Sequence, residues 1–196
     1  MEYKIDSSTK SDIIRFSLKV NENILVKPKS VISRTYSLQE KAYNRKTLWD
    51  KAIEKQKYKL TKISSQEKPG VLTVSPAYSG SINKLEPIDN TLLVASNAFL
   101  VSNSDISISI NKKDFFKDSN LRMLTISDIQ NIFVSACEGI ITIELNEKQQ
   151  TVINENYLIA LDTSIDYKNL NENNSKHILK GPGKVYLHSR IPRTPE

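Results

Sequence analysis

The chain has 196 residues, 38% hydrophobic and 26% charged. That is enough to bury one continuous core without disulfides or metals, and glycine and proline are too sparse for a low-complexity chain. Its single cysteine, Cys137, excludes an intramolecular disulfide and a thiolate metal cluster within one chain, and it fits a reducing or mitochondrial compartment better than secretion.

The net charge of +6 is local. Between Arg34 and Lys62 nine basic residues (Arg34, Lys41, Arg45, Lys46, Lys51, Lys55, Lys57, Lys59, Lys62) face three acidic ones (Glu40, Asp50, Glu54), a balance equal to that of the whole chain. The rest is neutral.

In chain order, Ile14, Phe16, Leu18 and Val20 alternate with Arg15, Ser17 and Lys19, the pattern of a strand with one wet face. Asn21-Glu22-Asn23 supplies turn chemistry, and Ile24 to Lys27 reads as the hairpin partner of that strand. From Ser37 to Lys62 the apolar spacing changes to three, four and seven (Ala42, Leu48, Trp49, Ala52, Ile53, Leu60), with Ser37 as N-cap and Glu40 in the capping-box position. This predicts one amphipathic helix inserted near residues 38–60.

After Lys68-Pro69-Gly70 the two-residue period returns. Strands are expected at Val71 to Val74, Leu92 to Ala95, Phe99 to Val101 and Ser104 to Ile110. In the C-terminal third they are expected at Asn131 to Ala136, Gly139 to Leu145, Thr151 to Ile153, Tyr157 to Leu161, Ser164 to Tyr167, His177 to Leu179 and Lys184 to Ser189. Short strands with polar turns at near-regular spacing indicate a sandwich or barrel. The fold class is therefore mainly β, a single β-sandwich domain over 1–190 with a helical insertion at 37–62 and a tail at 191–196. No sequence repeat is evident, although the stretches on either side of Lys112 to Asn120 read as halves of a duplicated sandwich.

The longest mostly apolar stretch, Leu92 to Val101, is interrupted by Ser96 and Asn97 and is too short to span a bilayer. No signal segment is recognisable, so a soluble or peripheral protein is expected.

Catalytic chemistry has few candidates. His177 and His188, the only histidines, lie on predicted strands without metal-pair spacing and read as surface or half-buried residues. Cys137 sits in a strand-turn-strand context that supplies neither a base nor a helix N-terminus, and reads as a small, partly buried core residue. Gly181-Pro182-Gly183-Lys184 lacks phosphate-loop spacing and leads into a strand, so it reads as a tight turn. No catalytic residue, metal or cofactor is expected. The basic helix is the functional candidate: Lys41, Arg45, Lys46, Trp49, Lys55, Lys57 and Lys59 fit an amphipathic element lying on an anionic membrane or a protein partner. Its structural alternative is a helix packed on the sheet by Trp49, Ile53 and Leu60 with solvated charges.

Three segments together carry a resemblance. Gly181-Pro182-Gly183-Lys184-Val185-Tyr186-Leu187-His188-Ser189-Arg190 is similar to the terminal signature of the altered inheritance of mitochondria protein 24 family, a mitochondrial biogenesis family. Ile132 to Leu145, with Val152 and Tyr157 to Leu161, resembles its glycine-hinged hairpin and following strand. Phe16 to Val20 and the Ser79-Gly80-Ser81-Ile82 turn fall where the family has counterparts. His188 and Ser189 depart from the commoner Gln and Thr, Asn154 stands where an acidic residue is frequent, and Tyr36 to Lys62 replaces a glycine-rich stretch of many bacterial members.

The resemblance implies a double-stranded β-helix or sandwich related in fold to the tryptophan RNA-binding attenuation protein, and a role in mitochondrial inner-membrane organisation. It carries over no catalytic residue, and shared fold transfers neither RNA nor tryptophan binding. The functional expectation is a non-enzymatic scaffold that assembles with itself or a partner, in mitochondria or in a bacterial cytoplasm. A ligand-binding or enzymatic sandwich using His177 or His188, and a non-specific nucleic-acid binder using the basic helix, are the other readings.

Overall fold

The computed structural model describes residues 1–8, 10–43, 60–76, 79–110, 121–170 and 175–192. Among them the chain is mainly β, with four antiparallel sheets, no closed barrel and no α-helix. After β1 (Glu2–Asp6) the strands fall into three runs of six. The first is β2 (Ile13–Leu18), β3 (Asn23–Val26), β4 (Val31–Arg34), β5 (Leu38–Ala42), β6 (Thr61–Ser65) and β7 (Gly70–Val74). The second is β8 (Gly80–Leu85), β9 (Leu92–Ala95), β10 (Phe99–Asn103), β11 (Ser107–Ile110), β12 (Met123–Ser127) and β13 (Ile132–Cys137). The third is β14 (Ile140–Leu145), β15 (Gln150–Asn154), β16 (Leu158–Asp162), β17 (Asp166–Asn169), β18 (Lys176–Lys180) and β19 (Gly183–His188).

The sheet orders are β1-β2-β7-β4, β5-β6-β3-β10-β13-β8, β11-β12-β9-β16-β19-β14 and β15-β18-β17. Adding six to every strand number of the second sheet gives the third. The chain is thus three copies of one six-strand unit, and each central sheet is half one unit and half the next. Finer features repeat with the topology. The third strand of each unit carries a register shift in the same place, between Val31 and Ser33, Phe99 and Val101, and Leu158 and Ala160. A polar side chain then closes each of these segments on the same backbone N–H. Thr35 Oγ1 accepts from Val71 at 2.9 Å, Asn103 Oδ1 from Asn131 at 3.1 Å and Asp162 Oδ2 from Lys184 at 2.7 Å. Three units replace the two halves anticipated from the sequence.

Alternation of side chains across a strand sorts the core into layers. Ile24, Val26 and Phe133 of the second sheet meet Ile14, Phe16, Leu18 and Leu72 of the first. Leu25, Ile132 and Val134 point the other way, into a core shared with Leu92 and Val94 of the third sheet and Ile153 and Leu179 of the fourth. Strands β9, β10 and β16 are buried at every position, as expected for strands covered on both faces.

Two sequence expectations are corrected. The helical insertion near 38–60 is not supported: its described ends are β5 and β6, paired from Leu38↔Ser65 to Ala42↔Thr61 and closed by Tyr43 N–H donating to the Leu60 carbonyl at 2.9 Å. Leu38, Leu60 and Ile63 are buried by this pairing, and their burial outweighs the local helical spacing. Ser37 and Glu40 are no cap: Ser37 Oγ donates to Pro69 O, and Glu40 pairs with Arg34. Residues 44–59 lie outside the described residues. The second correction concerns β3, which pairs with β6 and β10 instead of forming a hairpin with β2. Asn21, with φ of 69°, turns the chain out of the first sheet, and its N–H bonds to Ser65 O of the second.

Candidate functional site

Three of the segments that carry the family resemblance, around Gly80, Cys137 to Gly139 and His188 to Arg190, converge in space. The β13–β14 turn (Cys137, Glu138, Gly139) is bordered by the start of β8, through Cys137↔Gly80, and by the end of β19, through Ile140↔His188. Glu138 takes a φ of 63° to make this turn. The terminal signature clasps it. His188 Nδ1 accepts the Cys137 backbone N–H at 3.0 Å, Ser189 Oγ accepts from Gly139 N–H at 2.9 Å and donates to Cys137 O at 3.2 Å, and Arg190 pairs with Glu138 at 2.5 Å.

On the other flank Asp12 fixes β8: its N–H donates to Gly80 O at 2.9 Å, and its Oδ2 accepts the Ile82 N–H at 2.8 Å. At Gly80 a Cβ would run into the Ala136 carbonyl, so only glycine permits this approach of β8 to β13. Between these flanks lies an open cleft of about 370 Å³ bordered by Lys10, Asp12, Cys137, Glu138, Arg190 and Ile191.

The polar groups of this region hold backbone. Burial pushes the His188 imidazole down to about 4, so at neutral pH it is an uncharged acceptor for Cys137 N–H. Both histidines are buried, against the expectation of surface or half-buried residues, because each strand that carries one is covered by a neighbouring layer. His177, on β18, lies with Nε2 2.8 Å from Glu155 Oε2 and fastens the Glu155–Tyr157 turn between β15 and β16. The histidines sit in different sheets, His177 in the fourth and His188 in the third. Cys137 is partly buried, as expected, with its Sγ 3.9 Å from the Ile191 carbonyl.

Asp162 escaped the sequence reading. Burial raises its carboxyl above the usual range, opposed by N–H donors from Lys184 and Ile88. A buried, perturbed carboxylate is a candidate active-site group. Here it is the third member of the clasp formed by Thr35 and Asn103, which makes its role structural. The one signal available was a polar residue ending an apolar run, as in Ala160-Leu161-Asp162.

Of the predicted partner-binding residues, Lys41 is exposed on β5, a strand and not a helix. Arg45, Lys46, Trp49, Lys55, Lys57 and Lys59 lie outside the described residues. The structure fixes where that basic stretch is anchored: Tyr43 and Leu60 are hydrogen-bonded neighbours, so it departs from and returns to one end of the β5–β6 pair.

The turn preceding β19 gives a direct test of the terminal signature. Gly183 has φ of +142°, and a Cβ there would meet Ser164 Oγ at 2.9 Å and Ile165 Cδ1 at 3.0 Å. Gly183→Ala is expected to lower the unfolding free energy by about 2 kcal/mol, measured in urea.

Three comparisons bear on this arrangement. A family model described as mitochondrial biogenesis AIM24 matches residues 3–190. Among solved structures, the X-ray crystal structure of protein SPYM3_0169 from Streptococcus pyogenes superposes with a TM-score of 0.80 at 17% identity, covering 97% of this chain and 94% of that one. At that identity the likeness is one of fold. None of the curated proteins matches the chain.

Proposed function

The chain belongs to the mitochondrial biogenesis AIM24 family, and from that premise we propose that it acts as a non-enzymatic scaffold that assembles with itself or a partner and touches anionic membrane through its basic stretch. One observation carries this reading: Thr35, Asn103 and Asp162 are spent on the same backbone clasp in the three units, while the whole net charge falls between Arg34 and Lys62, the stretch of sequence that contains β5 and β6. A scaffold needs a firm body and a localised contact surface; the sheets shared between units support the first, and we assign the second to the basic stretch. Lys41, Arg45, Lys46, Lys55, Lys57 and Lys59 supply the charge and Trp49 an amphipathic anchor for the headgroup region.

The family's description links it to mitochondria, and the inner membrane is the surface we assign to the contact. A bacterial cytoplasmic setting is the other reading.

Vesicle flotation with and without cardiolipin tests the membrane contact. Each basic residue near an anionic surface contributes about 1 kcal/mol, so reversing Lys41, Arg45, Lys46 and Lys55 to glutamate is expected to lower partitioning by about a thousandfold. Raised salt should weaken the wild-type interaction as well. Equal recovery of the two proteins with cardiolipin vesicles removes the membrane clause.

A further inference from the structure

We propose that β15 of one chain pairs edge to edge with β4 of a second copy, so that identical chains join head to tail by completing the fourth sheet. This rests on the scaffold reading and specifies its contact. Within the chain, the second strand of each unit pairs with the third strand of the next, as β3 with β10 and β9 with β16. Among the described residues, no strand takes the successor's place beside the third unit or the predecessor's place beside the first. Consequently, among the described residues, β15 is bonded only to β18, and β4 only to β7. A second copy supplies the missing unit to each.

Side-chain exposure marks the same two strands. The register shifts place Ile32 of β4 with Leu100 of β10 and Ile159 of β16, yet Ile32 is 56% exposed while its counterparts are 1% and 0% exposed. The ladders place Val152 of β15 with Leu25 of β3 and Leu93 of β9, yet Val152 is 53% exposed while they are 0% and 6% exposed. The two apolar side chains lie on the two halves of one missing junction.

Exposed strand edges are ordinarily blunted by charge or proline, but β15 (Gln-Thr-Val-Ile-Asn) has neither. Copying the internal registers Val26↔Val101 and Val94↔Ala160 onto the new junction pairs Ile153 with Ser33 of the second copy and Val152 with its Arg34. Such a contact uses different surfaces on the two partners, so it repeats until a ring closes or a filament forms.

Light scattering coupled to gel filtration tests this on the full chain, whose mass is 22.3 kDa. Wild type is expected above twice that mass. Ile32→Lys alone and Val152→Lys alone should each elute as monomers with an unchanged unfolding midpoint, since both side chains are more than half exposed. Their mixture should form a one-to-one dimer, because one variant keeps a competent β15 and the other a competent β4.

In a Cys137→Ser background, Arg34→Cys with Val152→Cys in one chain should give a ladder of covalent multimers on oxidation, and either cysteine alone should not, because the paired Cα positions lie within disulfide reach. A symmetric wild-type dimer, or assembly untouched by both lysine substitutions, overturns the junction and leaves the scaffold reading standing. A monomeric wild type removes self-assembly itself, and flotation of the monomeric variants, which retain the basic stretch, tests the membrane contact separately.

Discussion

Phe133→Ala is expected to lower the unfolding free energy by about 4 kcal/mol, read from urea denaturation at constant m-value. Phe133 is fully buried and lies on the face of the second sheet that meets the first. Its ring centroid is 5.4 Å from that of Phe16 and 4.8 Å from that of Tyr3, at interplanar angles of 78° and 74°. These are edge-to-face contacts, which add about 1 kcal/mol per pair beyond the area buried. Truncation leaves a cavity between two pleated sheets whose backbones are fixed by ladders on either side, so collapse is limited. A loss below about 1 kcal/mol would mean that the first sheet is not seated on the second as described.

The second large effect is on pH dependence. The folded His188 titrates at about 4, below the ordinary 6.5, because burial disfavours the charged ring. The unfolded chain therefore binds more protons between these values, and stability rises with pH across them. The contribution of the neutral ring is fully present above pH 6.5 and is lost as pH falls through about 4. Across that window the loss is on the order of 3 kcal/mol.

His188→Gln keeps an acceptor for the Cys137 N–H but cannot titrate. Carboxylates change charge over the same range, so the informative quantity is the difference between variant and wild type. That difference is expected to shift by about 2 to 3 kcal/mol in favour of the variant between pH 7 and pH 4. Parallel profiles would mean that His188 is not held neutral by its surroundings.

Strands with one wet face were legible in the sequence because alternation survives there: Ile14, Phe16 and Leu18 of β2 are buried, with Arg15 and Ser17 exposed between them. β8 and β12 were missed for opposite reasons. β8 buries only Ile82 and Leu85, three residues apart, and β12 buries Met123 and Leu124 consecutively before Ile126, so β8 has no two-residue period and that of β12 is one step long. β4 is an edge strand with exposed residues at three of four positions, and it too carries no apolar rhythm.

Internal symmetry was hidden because equivalent positions share a task and not a residue type. Thr35, Asn103 and Asp162 accept the same backbone bond, and nothing in their identities aligns them. The candidate site was partly legible. Gly80, Cys137 to Gly139 and His188 to Arg190 were visible as separate turns and strand ends, but burial of the histidines depends on layers that no local pattern reports. The helical spacing of Ala42, Leu48, Trp49 and Leu60 was a true local pattern whose ends were captured by strand pairing.

At the centre of the account is a body of three units welded by shared sheets, with strands from consecutive units paired as firmly as strands within one. Amide hydrogen exchange along β3, β10, β9 and β16 tests this most directly. These junction strands, covered on both faces, are predicted to exchange among the slowest in the chain and together with the ladders inside each unit. Faster exchange at the β3·β10 and β9·β16 junctions than within the units would contradict it, and would describe three separately opening units instead of one body.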